Sequence, residues 1–177
     1  MASPETSSAG AGSNRLRVGV IGTGYLGKFH ARIYNDMPDV DLVGIVDIDE
    51  AAAKAVASNC GNCPTYTDSK ELLDKVDAVS IVVPTEHHLQ VSRPFLEKGI
   101  HMLLEKPVAP SYQESLEIIE LAEKSGATLQ IGHLERYNAG VMALAERVTA
   151  PRFIEVHRLG PFVARATDVD VVTDLSI

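Results

Sequence analysis

Hydrophobic positions along this chain switch between unbroken apolar runs and helical spacing. RLRVGVIG (15–22) is a short run rich in β-branched residues and closed by glycine, the pattern of a strand buried on both faces. Leu26, Phe29, His30, Ile33 and Met37 then recur at helical spacing, and Pro38 closes that helix. LVGIVD (42–47) predicts a second strand, and the alanine-rich stretch from Glu50 to Ser58 predicts a second helix. AVSIVVP (78–84), HMLLEKP (101–107) and TLQIGH (128–133) repeat the buried-strand pattern. Between the last two, Ser111 and Glu114 make an S-x-x-E capping box ahead of Leu116, Ile119 and Ala122, and Gly126 supplies the stop. Val141, Leu144, Ala145 and Val148 mark a further helix that ends before Pro151. The segment 86–98 is irregular: Pro94 falls where a helix interior would be, which predicts a kink or a fresh start there.

Strands alternating with helices of about ten residues or more specify a parallel sheet with right-handed crossovers, the doubly wound α/β architecture of Rossmann type. The expected organisation is a flexible Ser/Gly/Ala tail over 1–14, a dinucleotide-binding Rossmann domain over 15–150, and the start of an incomplete α/β domain over 151–177. RFIEVHRLGPFV, after Pro151, alternates like an antiparallel strand, and roughly 27 residues are too few for a stable domain of their own.

Composition narrows the class without changing the fold. A chain of 177 residues has room for one sizeable core rather than two. With 16 basic against 24 acidic residues its net charge is −8, which argues against nucleic acid or an anionic membrane as partner. No apolar run approaches the roughly 20 residues that span a bilayer. MASPETSSAGAGSN lacks the basic and apolar regions of a secretory signal, so a cytoplasmic protein is expected. Cys60 and Cys63 form C-x-x-C without further ligands or a thioredoxin-like setting, and His87 and His88 diverge with no carboxylate partner evident; no metal is expected at either.

Candidate chemistry gathers at the strand ends. GTGYLG (22–27) follows the first strand and opens the first helix, so Gly22, Gly24, Tyr25, Leu26 and Gly27 form the expected cofactor cradle. Gly22 permits the tight turn, Gly24 lets backbone approach a pyrophosphate, and Gly27 lets helix pack on strand. A purely structural glycine turn is the alternative. Asp47, at the end of the second strand, can accept hydrogen bonds from an adenosine ribose and would repel a 2′-phosphate. Ile48, Asp49 and Glu50 follow it with no arginine, which favours NAD over NADP. In VPTEHHL (83–89), Pro84 and Thr85 are expected to shape the nicotinamide side, with His88 a surface or cofactor-lining histidine. LLEKPVA (103–109) brings Glu105 and Lys106 to another strand end, where both are candidate cofactor-binding residues. There Lys106 can face the cofactor crevice and hydrogen-bond a substrate hydroxyl or developing alkoxide; by itself, an exposed strand-end lysine is the plainer reading.

Together GTGYLG, Asp47, VPTEHH and especially EKP resemble the Gfo/Idh/MocA oxidoreductases over essentially residues 15–177. The resemblance implies an NAD(P)-binding Rossmann domain paired with a C-terminal α/β domain on a large, mostly antiparallel sheet. It implies action on sugars, cyclitols or sugar nucleotides, with Lys106 catalytic and Asp47 on the ribose. IGHLERYNAG (131–140) is similar to the segment that borders substrate in the family, which makes Arg136, Tyr137 and Asn138 candidate substrate residues. The branch that oxidises UDP-N-acetylglucosamine at C3 shows G-h-x-E-R-[FY]-N-P here, and this chain has Ala139 in place of the proline. Arg136 would hold a phosphate or carboxylate, or else pair with an acid at a helix start. Asp174 fits the first position of the family's D-x-x-x-H element, whose histidine would follow Ile177. The expectation is an NAD-dependent dehydrogenase of a secondary hydroxyl on a sugar nucleotide, homo-oligomeric when full-length. This chain would be an N-terminal fragment that binds NAD but turns over slowly or not at all. The alternatives are a family member acting on inositol or a free sugar, and a non-catalytic NAD-binding module.

Overall fold

The computed structural model describes residues 15–155 and 157, and six parallel strands in one sheet organise them. They are β1 (Leu16–Ile21), β2 (Val40–Val46), β3 (Thr65–Tyr66), β4 (Ala78–Ile81), β5 (His101–Leu104) and β6 (Leu129–Ile131). In space they run β3-β2-β1-β4-β5-β6, every neighbouring pair parallel. The order reverses between β1 and β4, so a crevice opens beyond the carboxyl ends of those two strands.

Helices cover both faces. Along β1, Val20 points into one apolar layer and Ile21 into the other, as alternation in a pleated strand requires. Val20 and Ile45 meet α1 (Gly27–Asp36) and α2 (Glu50–Ala57) through Ala31, Ala53 and Ala57, together with Cys60 in the turn after α2. On the other face Ile21, Val79, Ile81 and Leu104 meet α3 (His88–Glu97) and α4 (Tyr112–Ser125) through Phe95, Leu96, Ile118 and Ala122. The caps follow the local sequence: the Asp49 carboxylate accepts from the amides of Ala51 and Ala52, Ser111 Oγ accepts from the Glu114 amide, and Gly126 stops α4 at φ +73°.

Several expectations are revised. The strands after β2 are shorter than their apolar runs, because Val82–Pro84 and Glu105–Pro107 leave the ladder to line loops at the carboxyl edge. A break or restart at Pro94 does not occur as a new helix: α3 runs through it. Pro94 lacks the N–H that would serve the Gln90 carbonyl, but both residues border an open cleft, and the fully buried Phe95 and Leu96 anchor the turn that follows. Nor does α1 bury its large apolar stripe. Ile33 and Met37 are exposed, and the sheet side carries Gly27 and Ala31, because this helix lies too close to the sheet for larger side chains. β3 and the 3₁₀ turn Ser69–Leu72 are too short to leave a periodic signal.

Beyond β6, α5 (Ala139–Arg147) follows the 3₁₀ turn Leu134–Tyr137 and buries none of its residues. Residues 152–155 and 157 form no strand, and the remainder of the expected antiparallel strand, like the 1–14 tail, lies outside the described residues.

Phe95 is the largest side chain with no exposed surface, filling the layer between α3 and the sheet. Replacing it with alanine is expected to destabilise the fold by about 3–5 kcal/mol, measured as a lowered urea midpoint. A loss under about 1 kcal/mol would contradict that packing.

Candidate functional site

The turn joining β1 to α1 is built from two forbidden volumes and one vacant one. Gly22 takes φ +95°, and a Cβ there would lie 2.4 Å from the Val82 carbonyl oxygen. A Cβ on Gly27 would lie 1.9 Å from the Gly22 oxygen, so no side chain fits between helix and strand. Gly24 differs: nothing stands within 4 Å of its Cβ position, and it borders the crevice. A group held there meets bare backbone and the first amides of a ten-residue helix, which suits a pyrophosphate.

Asp47 closes the crevice on the β2 side. Its Oδ2 accepts from the Thr23 amide at 2.7 Å and from Thr23 Oγ1 at 2.5 Å, and its Oδ1 accepts from the Asp49 amide at 3.0 Å. A carboxylate offers about four acceptor positions, so one on Oδ1 stays open toward the crevice, where a ribose hydroxyl can donate. Burial pushes this carboxyl up, but the bonds from the Thr23 hydroxyl and the two amides outweigh it and hold Asp47 below its ordinary value. The crevice encloses about 570 Å³, a volume that suits a nucleotide. Ile48, 95% exposed, Pro84, His87 and Lys70 also line it.

His88 is neither a surface nor a cleft-lining residue. It is 1% exposed, with Nδ1 3.1 Å from the Val108 oxygen and Nε2 3.1 Å from the Val83 oxygen. It braces the loop after β4 against the loop after β5. His87 takes the cleft position instead, because the 3₁₀ turn Thr85–His87 carries it outward as α3 begins. Thr85 is buried in that turn. Tyr25 is exposed, its ring edge-on to Phe29 at 5.6 Å with Lys28 above it, and neither it nor the half-buried Leu26 lines the crevice.

At the end of β5, Lys106 is half-buried and its bond to Pro107 is cis. Glu105 lies beneath it, 6% exposed, and neither residue borders the crevice, where both were expected to meet the cofactor. One carboxylate oxygen, Oε2, accepts from the Lys106 amide at 3.3 Å. The other, Oε1, is sealed from solvent without an aligned hydrogen bond, and His30 Nε2 stands 3.2 Å from it. His30 Nδ1 is 2.7 Å from Ser80 Oγ on β4. Gly132 walls the pair in: a Cβ there would come within 2.8 Å of the Glu105 carboxylate. In sequence His30 falls on α1's apolar spacing and Ser80 inside a buried strand run; only the sheet order puts them beside Glu105.

The remaining candidates scatter. Arg136 and Tyr137 are exposed on the 3₁₀ turn. Asn138 caps α5, its Oδ1 accepting from the Gly140 amide and its Nδ2 donating to Glu135. Asp174 lies outside the described residues. Burial pushes the Cys60 and Cys63 thiols up, Cys63 to about 11, with Cys60 adding to the latter. Among the described residues no His, Cys, Asp or Glu side chains are grouped to hold a metal ion.

A parallel sheet that reverses order at its centre, with a glycine cradle on one side of the reversal and an acid at the end of β2, defines a dinucleotide-binding domain of Rossmann type. Residues 16–133 match the oxidoreductase family with an NAD-binding Rossmann fold, and the chain belongs to that Gfo/Idh/MocA family. It is 38% identical over 163 residues to the UDP-N-acetylglucosamine 3-dehydrogenase of Acidithiobacillus ferrooxidans, covering 92% of this chain and 51% of that protein. A crystal form of the same enzyme superposes with a TM-score of 0.82 and 37% identity, over 90% of this chain and 52% of that one. The myo-inositol dehydrogenase of Lactobacillus casei, in complex with NAD(H) and myo-inositol, gives a TM-score of 0.70 and 30% identity, over 76% and 41%. The chain thus spans about half the length, or less, of these relatives.

Gly24→Val is expected to leave unfolding stability within about 0.5 kcal/mol of the parent while abolishing saturable NADH binding. Gly27→Ala, by contrast, should lower stability by about 1–3 kcal/mol through overpacking, read in the same urea titration. Acidification supplies a further check. The folded carboxyl of Asp47 titrates below its unfolded value of about 3.9, so its stabilisation is complete above that pH and is lost as pH falls through the folded value. Asp47→Asn should therefore flatten the stability curve below about pH 4. An unchanged slope would show that the three bonds to Asp47 contribute nothing.

Proposed function

We propose that this chain is the cofactor-binding part of an NAD-dependent dehydrogenase that acts on a secondary hydroxyl of a sugar nucleotide. The observation that carries the reading is the crevice itself: bare backbone at Gly24 and an open acceptor on Asp47. NAD, when bound, supplies the two-electron acceptor or donor for hydride. Gly22, Gly24 and the amides opening α1 hold its pyrophosphate. Asp47 accepts from the adenosine ribose, and its charge disfavours a 2′-phosphate, which selects NAD over NADP. Ile48 offers apolar surface to the adenosine half, and Pro84 to the nicotinamide side.

Lys106 is the residue for the chemistry. Its ammonium donates a hydrogen bond to the substrate oxygen and stabilises negative charge there as hydride leaves carbon. Asp174 belongs to the proposal as the aspartate that orients a proton-accepting histidine. Arg136 and Tyr137, exposed beyond β6, stand on the segment expected to border substrate.

The 38% identity to the UDP-N-acetylglucosamine enzyme, over 92% of this chain, supports a sugar nucleotide as substrate. We also assign the exposed apolar surface of Leu144, Phe153 and Ile154 to burial against further protein in the whole, oligomeric enzyme. Among the described residues no helix is long and apolar enough to cross a membrane.

Fluorescence titration of this chain should show saturable NADH binding, with NADPH weaker by about tenfold or more, the equivalent of one lost charge-assisted hydrogen bond. Absence of saturation with either nucleotide overturns the cofactor reading. In the complete enzyme Lys106→Met should reduce kcat by about 10²–10⁴-fold while NADH affinity holds. A panel of UDP-sugars and inositols identifies the substrate by product formation.

A further inference from the structure

We propose that His30 is a positioning residue for the reaction, acting through Glu105 on the lysine that follows it; the inference rests on the assignment of Lys106 as catalytic. Glu105 poses a problem that its own strand does not solve. Its carboxylate is nearly out of water, where an ionised group needs donors on both oxygens. Oε2 has one long bond from the Lys106 amide. Oε1 is inaccessible and has no aligned donor, and on its far side Gly132 leaves no space for a side chain. Among the described residues, His30 Nε2 at 3.2 Å is the group placed to serve it.

The histidine is itself held. Nδ1 lies 2.7 Å from Ser80 Oγ, and Ser80 is fully buried on β4. Tyr34, one turn beyond His30 on α1, lies near the same serine, and burial pushes its phenol up. One tautomer fits these contacts: the Ser80 hydroxyl donates to Nδ1, which leaves the ring proton on Nε2, 3.2 Å from Oε1. The other tautomer would bring an unprotonated Nε2 against a carboxylate.

The row of side chains spans α1, β4 and the end of β5. α1 is the helix whose first turn faces the pyrophosphate position, and Glu105 is joined to Lys106 by one peptide bond. His30 thus ties the backbone that carries the lysine to the helix that receives the cofactor. A displacement of about 1 Å at such a point is enough to cost a factor of about 100 in rate.

The test uses the complete enzyme for kinetics and this chain for spectroscopy. His30→Ala should lower kcat by about 10–100-fold, with the substrate KM and the NADH dissociation constant within about threefold of the parent. His30→Gln, whose amide nitrogen reproduces the Nε2 donor, should recover most of that loss. His30→Asn, which reproduces the Nδ1 side, should not. Long-range ¹H–¹⁵N spectra of this chain should show a proton on His30 Nε2. A ring lacking that proton overturns the proposal even where a variant fails to fold. So does a kcat unchanged in His30→Ala, or one that Asn restores as well as Gln. Lys106→Met in the same assay separates the two readings: if it retains kcat the catalytic assignment fails, whereas if it alone abolishes kcat only the role of His30 fails.

Discussion

The contact on which this molecule depends is the one between Gly27 and the carbonyl of Gly22. With only 1.9 Å between the carbonyl oxygen and the place where a Cβ would sit, α1 descends onto the sheet as closely as backbone permits. That approach dictates the rest of the helix face. Residues one turn apart share it, so Gly27 and Ala31 turn inward, while Ile33 and Met37 are left outside. It also sets the depth at which His30 enters, close enough for its ring to reach Ser80 on β4 and Glu105 beyond β5. The same closeness points the first amides of α1 at the crevice. One steric constraint therefore fixes both the anion-binding end of the helix and the buried row of polar side chains beneath the lysine.

The sheet order makes that arrangement useful. Because β4 lies on the other side of β1 from β2, the loops after β1, β2 and β4 surround a common space, with Lys106 one strand further along. His88 keeps this rim in shape by bridging the carbonyls of Val83 and Val108, from the loops after β4 and β5. Both contacts are to backbone, so the brace sets loop positions without using the side chains that face the crevice.

Most of the scaffold was legible because it rests on local patterns. A β-branched run ending in glycine, an S-x-x-E box and an acid at the end of β2 have physical meanings that do not wait on the fold. What escaped was decided at longer range. Pro94 looked like a break because a missing donor is visible in sequence, whereas the burial of Phe95 and Leu96 that holds the helix together is not. His87 and His88 were indistinguishable as neighbours; a short 3₁₀ turn sends one to the cleft and the other to the core. His30 matched an apolar helical stripe, and its partners are 50 and 75 positions further along the chain. No window of sequence contains that relation.

The two carboxylates of the site show how environment separates residues of like chemistry. Asp47 has three donors, the amide and hydroxyl of Thr23 in the turn after β1 and the Asp49 amide two residues on, and still presents an acceptor to an open crevice. Its charge is stabilised before any ligand arrives, and what remains of its capacity is directed outward. Glu105 is the reverse case: it lies out of water, its outer oxygen has one long amide bond, and its inner oxygen looks to a histidine on another element. An anion so placed is stable only while its neighbours hold position, so it couples the elements around it instead of recognising something new. Asp47 is thus suited to recognition and Glu105 to alignment, a division that follows from how many donors serve each and whether it faces open space, rather than from residue type.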